Sequence, residues 1–115
     1  MQLSKPMADY EFYVNEYLGT ELTREEFPGL AAQARWELER FKRLCRVEGG
    51  EEAENLAICA MAEELGAYRK IYLASASAGS VSVHYADTAR KTTPLRRRLL
   101  ERAGTYLDIY RGVGA

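Results

Sequence analysis

One histidine, two cysteines and one tryptophan in 115 residues leave this chain short of the side chains that carry most protein chemistry. Cys45 and Cys59 match no zinc-ligand spacing, and His84 has no second histidine to join it, so no metal site is expected. Both cysteines fall on predicted helices and read as free thiols of a reducing cytoplasm. No serine or cysteine stands in a nucleophile motif, and no glycine-rich phosphate loop or nucleotide fingerprint occurs, so no cofactor is expected. Glu63 and Glu64 are a carboxylate pair, but adjacent helix residues point about 100° apart and are not expected to share a site. An enzyme is therefore not expected. No run approaches the roughly 18 apolar residues of a membrane span. The Met1–Gly19 stretch lacks the basic start and long apolar core of a signal peptide.

What is present suits one small domain spanning residues 1–115. With 47% hydrophobic and 29% charged residues the chain is globular rather than disordered. The net charge of −1 conceals a division. Residues 1–64 carry 14 acidic and 7 basic side chains, a balance of −7, whereas residues 65–115 carry 3 acidic and 9 basic, a balance of +6. Such a chain either folds its two oppositely charged halves against each other or associates head to tail with its own copies.

Four helices are predicted. The first covers Asp9 to Leu18, with Tyr10, Tyr13, Val14, Tyr17 and Leu18 at helical spacing and Gly19 as its stop. Thr23 and Glu26 form a capping-box pattern, and Pro28 suits a first turn, so the second helix runs from there to about Arg46. Phe27, Leu30, Ala34, Leu38, Phe41 and Cys45 make its apolar stripe. The third runs from Glu51 to Tyr72 and is apolar almost all round, which marks the central helix of a bundle. Glu64 falls inside its apolar arc, either to pair with a basic residue of another helix or to face a partner. The fourth is opened by Thr93 and Pro94, runs from Leu95 to about Tyr110, and is striped by Leu95, Leu99, Ala103, Tyr106 and Tyr110.

Between the last two helices the pattern changes. Ser75–Gly79 is a run of five small residues, expected to leave the helix, and strict alternation follows. Val81, Val83 and Tyr85 fall on one side, Ser82 and His84 on the other, which is the period of a half-buried strand. This arm pairs either with another chain or, as a hairpin, with its own domain. The fold class is thus all-α: a small bundle of about four helices with one extended loop or short β-hairpin arm.

Two further features invite partners. Trp36 lies opposite the apolar stripe of its helix, among Ala32, Glu39, Arg40 and Arg43. It either lies flat under arginines or anchors an interface, and the second is favoured because tryptophan is enriched at contact hot spots. Arg90, Lys91, Arg96, Arg97, Arg98 and Arg102 gather with only Asp87 and Glu101 nearby in sequence. Arg97 and Arg98 are placed on the polar face of the last helix, while Arg96 falls within its apolar arc. No helix-turn-helix spacing accompanies them, which leaves a solvated face, an assembly contact or a small nucleic-acid-binding regulator as readings.

In order along the chain stand a Tyr-rich opening (Tyr10 to Gly19), Leu-Thr-Arg-Glu-Glu-Phe (Leu22 to Phe27) with Ala-Gln-Ala-Arg (Ala32 to Arg35), the Ala-rich Leu56 to Glu64, the Ala74 to Tyr85 arm, and Tyr-Leu-Asp-Ile-Tyr-Arg-Gly-Val (Tyr106 to Val113). This order resembles the small head–tail connector, or head-completion, proteins of tailed bacteriophages and prophages, across nearly the whole chain. The resemblance implies a structural protein of the virion, assembled in the host cytoplasm, whose copies form a ring beneath the portal. That ring closes the filled head, receives a tail or stopper protein and has non-specific contact with DNA passing through it. It also implies that Ser75, Gly79, Val81, Val83, His84 and Tyr85 belong to a protruding interface loop, and that Tyr110, Arg111 and Val113 lie in a terminal helix and interfacial tail. Trp36, Arg96, Arg97 and Arg98 are the expected contacts on helix faces. One departure stands out: Arg46-Val-Glu-Gly-Gly replaces the threonine-containing turn frequent in that family before the central helix.

Overall fold

Asp9 starts the first helix as its cap: the carboxylate accepts the Phe12 N–H at 2.8 Å. The computed structural model describes residues 8–78 and 94–110, with side chains for 8–73 and 94–110. In it α1 (Tyr10–Asn15) is shorter than the periodicity predicts, at 6 residues. Such a helix does not hold itself in water. Tyr13 fixes it, fully buried, with its ring centroid 4.9 Å from Phe27 and 5.7 Å from Tyr17. Leu18 then takes a left-handed backbone, φ 63°, which ends the turn. Gly19 follows so close to Tyr13 that a β-carbon would overlap the phenol ring.

The capping box at the second helix forms in full. The Thr23 N–H donates to Glu26 Oε1 at 3.0 Å, and the Glu26 N–H to Thr23 Oγ1 at 3.1 Å. With Pro28 in the first turn, α2 (Phe27–Leu44) follows and buries Phe27, Leu30, Ala31, Ala34, Leu38 and Phe41. Cys45 is not helical, as its stripe position suggested, but an extended cap that turns the chain into β1 (Arg46–Glu48). Gly49, at φ 156°, lies where a β-carbon would strike Leu107.

The central helix, α3 (Glu51–Ala78), is 28 residues long, about 42 Å at helical rise. Glu51, Glu52 and Glu54 occupy its first turn, where the helix dipole favours negative charge. From Ala57 to Ala62 every side chain is buried, and α2 and α4 pack against it. Small alanines let both neighbours approach. The helix does not stop at Tyr72. Ser75, Ala76, Ser77 and Ala78, expected to begin the extended arm, form its last turn. Once a long helix is nucleated, each added residue costs little, and alanine is the best helix former, so small size here does not mean non-helical. Gly79, Val81, Val83, His84 and Tyr85, the rest of the arm, lie outside the described residues, as do Thr93, Arg111 and Val113.

Pro94 caps α4 (Leu95–Gly104), which buries Leu99 and Ala103. This helix ends six residues before the expected Tyr110. A turn at Thr105 and Tyr106 and the buried Leu107 lead into β2 (Asp108–Tyr110). β2 pairs antiparallel with β1 in the register Arg46↔Tyr110, Val47↔Ile109, Glu48↔Asp108. Val47 and Ile109 pack on the core, while the Arg46 guanidinium sits 5.7 Å from the exposed Tyr110 ring. Among the described residues the architecture is four helices with one small two-stranded ribbon, and that ribbon joins residues some sixty positions apart rather than forming a local hairpin.

Candidate interaction surfaces and the charged network

Glu63 and Glu64 meet at one side chain, contrary to expectation. Arg102, rising from α4, places Nη2 3.0 Å from Glu63 Oε1 and Nη1 3.2 Å from Glu64 Oε1. The roughly 100° between neighbouring helix positions is spanned because a guanidinium offers donors along a wide planar fork. Arg98, one turn earlier, donates through Nε to Glu64 Oε2. From the other side Tyr13 Oη donates to Glu63 Oε2 at 2.8 Å and Tyr17 Oη to Glu63 Oε1 at 3.0 Å. The Tyr13 hydroxyl also accepts the Glu21 and Leu22 N–H groups at 2.8 and 2.9 Å. Arg102 Nη2 reaches Tyr17 Oη at 3.2 Å. One network therefore ties α1, the 18–22 turn, α3 and α4 together.

The carboxylates are largely withdrawn from water, with side chains 13% and 15% exposed. Burial pushes the Tyr13 hydroxyl up to about 12, and its bond to Glu63 adds to this against the opposing Leu22 and Glu21 N–H groups. Tyr17 is raised too, first by burial, with the bond from Arg102 working against it and the Glu63 charge with it. Burial holds the Cys59 thiol up at about 12, with Glu63 and Asp9 contributing, so it stays protonated and unreactive at neutral pH. Among the described residues no cluster of histidine, cysteine or carboxylate side chains has the arrangement of a metal site.

This network changes the reading of the basic cluster. Arg98 is not on the polar face of α4. Its side chain is 17% exposed and paired with Glu64. Arg96, assigned to the apolar arc, is 63% exposed and 3.9 Å from Glu37. Arg97 is exposed, as expected. Part of the charge division is thus neutralised inside the fold, since Glu63 and Glu64 belong to the acidic half and Arg98 and Arg102 to the basic half. A basic partner from another helix was one of the two readings of Glu64 in the sequence, and the structure takes it; the wider network was missed. The available signal was the matched spacing of Tyr13 with Tyr17 and Arg98 with Arg102, each pair one helical turn apart.

Trp36 stands where the helical wheel put it. It is 79% exposed on the outer face of α2, with exposed Ala32, Gln33, Glu39 and Arg43 around it. Among the described residues the guanidinium–ring contacts are Arg24 over Tyr10 and Arg46 over Tyr110, so no arginine shields the indole. Other exposed apolar side chains among the described residues are Val14 and Leu18 near the first helix, Leu44 at the end of α2, Tyr72 and Leu73 on α3, and Tyr110, which lies in β2 rather than in a terminal helix. Among the described residues no helix is long and apolar enough to cross a membrane. The chain matches no family model, no curated protein and no solved structure.

Proposed function

We propose that this protein is a structural component of a phage or prophage virion, a connector whose copies form a ring between the portal and the tail. The observation that carries the proposal is Trp36, an indole 79% exposed on the face of α2 turned away from the core. Leaving that much apolar surface in water is unfavourable, and partner contact removes it. The helical bundle and the order of its sequence segments agree with the connector resemblance. A ring needs two different complementary patches on each copy, and this surface offers both signs of charge. No catalytic role is assigned to any residue, and no cofactor. The expected partners are further copies of the chain, the portal, a tail or stopper protein, and DNA touched without sequence preference.

The nucleic-acid regulator is the weaker reading, because Arg98 and Arg102 are committed to Glu63 and Glu64 and offer less to phosphates than the sequence suggested. Sedimentation of the chain with purified portal oligomers tests the proposal. Co-sedimentation in a fixed ratio is expected. Tight, salt-resistant binding to one DNA duplex with no portal association would overturn it and promote the regulator.

A further inference from the structure

A groove of about 330 Å³ runs beside β2, lined by Leu100 and Gly104 of α4, by Leu107, and by Ile109. The exposed Glu101 and Asp108 give its lining negative charge, and Tyr110 completes the lining. All three residues of β2 line it and none of β1 does. Successive strand residues point to opposite faces, so a groove touched by all three runs along the strand's edge rather than over one face. That is the edge away from β1, and among the described residues no third strand pairs with it. A backbone edge with no strand partner among the described residues, beside an apolar slot, has the form of a strand-addition site, in which main-chain bonds give affinity and the slot selects alternate side chains.

We propose that this edge and groove receive the Val81–Tyr85 segment of a second copy of the chain, as the contact between neighbours in the ring. The inference rests on the connector reading above for the use of a second copy. The match lies in the chemistry. Val81, Val83 and Tyr85 alternate with Ser82 and His84, so one side of an added strand is apolar for Leu100, Leu107 and Ile109 while the other stays polar. Arg90 and Lys91 follow a few residues later, opposite in charge to Glu101 and Asp108. The contact is heterologous, with a donor segment and a receiving groove at different places on each copy. It therefore repeats around a ring instead of closing a pair.

Gly104 lines the groove and gives a direct test, because a β-carbon added there meets nothing within 4 Å and a larger side chain starts from open space. Gly104→Trp is expected to melt at or above the wild-type temperature, since glycine is a poor helix residue, yet to fail to form rings with the portal. Rings of undiminished yield from Gly104→Trp overturn the proposal while leaving the connector reading standing. The second measurement needs no portal. Chains carrying Gly104→Cys are mixed at high concentration with chains carrying Val83→Cys, both in a Cys45→Ser background that leaves only the buried Cys59, and treated with a short bismaleimide. Cross-linked pairs containing one chain of each kind are expected at least tenfold above a control in which Glu52→Cys, at an exposed position, replaces Val83→Cys. Pairs at the control level overturn the proposal. So does a double variant, Gly104→Cys with Val83→Cys, that links only within single chains, since the groove would then hold the chain's own segment. If wild-type protein forms no ring with the portal, the connector reading falls and the cross-link alone judges the contact.

Discussion

Replacing Arg102 with methionine keeps most of the side chain's stem and removes its charge, leaving Glu63 and Glu64 side by side with Arg98 as the one paired cation among the described residues. The carboxylates are 13% and 15% exposed, and the guanidinium is 35% exposed. Removing one partner of a fully buried pair costs about 3–5 kcal/mol, whereas an exposed pair is worth about 0–1 kcal/mol. The partial exposure of Arg102 places this site between the two, at about 2–3 kcal/mol. For a domain of this size each 1 kcal/mol moves the melting temperature by roughly 4–8 °C, so Arg102→Met should lower it by on the order of 10 °C. Thermal and urea melts followed by circular dichroism at 222 nm read this directly. Glu64→Gln in the same background should recover part of the loss, because one uncompensated charge is gone, and the double-mutant cycle should show coupling above about 1 kcal/mol. A loss under about 0.5 kcal/mol, with no coupling, would mean that the network is a solvated surface feature and that the α1–α3–α4 junction is held by apolar packing alone.

Trp36→Ala should leave the isolated chain nearly as stable as wild type, whereas Phe41→Ala, at a buried position, should cost about 3–5 kcal/mol; equal losses in urea melts would place Trp36 in the core. Arg97→Glu should preserve the melting temperature, while Arg98→Glu should lower it sharply by setting a third carboxylate against Glu63 and Glu64. Alkaline pH should destabilise the fold through Tyr13 and Tyr17. In the unfolded chain a tyrosine loses its proton near pH 10, but folded Tyr13 keeps it to about 12, so its stabilisation is complete below 10 and is lost as pH rises toward 12. Urea midpoints measured between pH 8 and 11.5 should fall over the upper part of that range, and less steeply in Tyr13→Phe; an unchanged slope in that variant would remove Tyr13 from the explanation.

α2 was legible in the sequence because its signals are local: the Thr23–Glu26 box, Pro28 and a regular stripe from Phe27 to Phe41 all point to one helix. The burial of α3 was legible for the same reason, since apolar residues on every side require neighbours on every side. Its end was not, because Ser75–Ala78 is equally suited to a loop and to the continuation of a nucleated helix, and the preceding helix decides between them. The ribbon was hidden by distance. Nothing near Arg46–Glu48 announces that Asp108–Tyr110 will pair with it, and Tyr106 and Tyr110 fit a helical stripe well enough to extend α4 on paper. The exposure of Trp36 followed from its angle on the wheel. The Glu63–Arg102 network did not, because wheel angles describe one helix while this site exists only where α1, α3 and α4 converge.

A ring built by the chain at the portal should be visible in electron micrographs of purified portal oligomers mixed with an excess of wild-type protein or of the Trp36→Ala variant. Class averages should show an added ring of density on the portal with wild-type protein, and a weakened or absent ring with the equally well-folded variant. Bare portals in both samples, at protein concentrations well above those of the portal, would rule out the proposed ring.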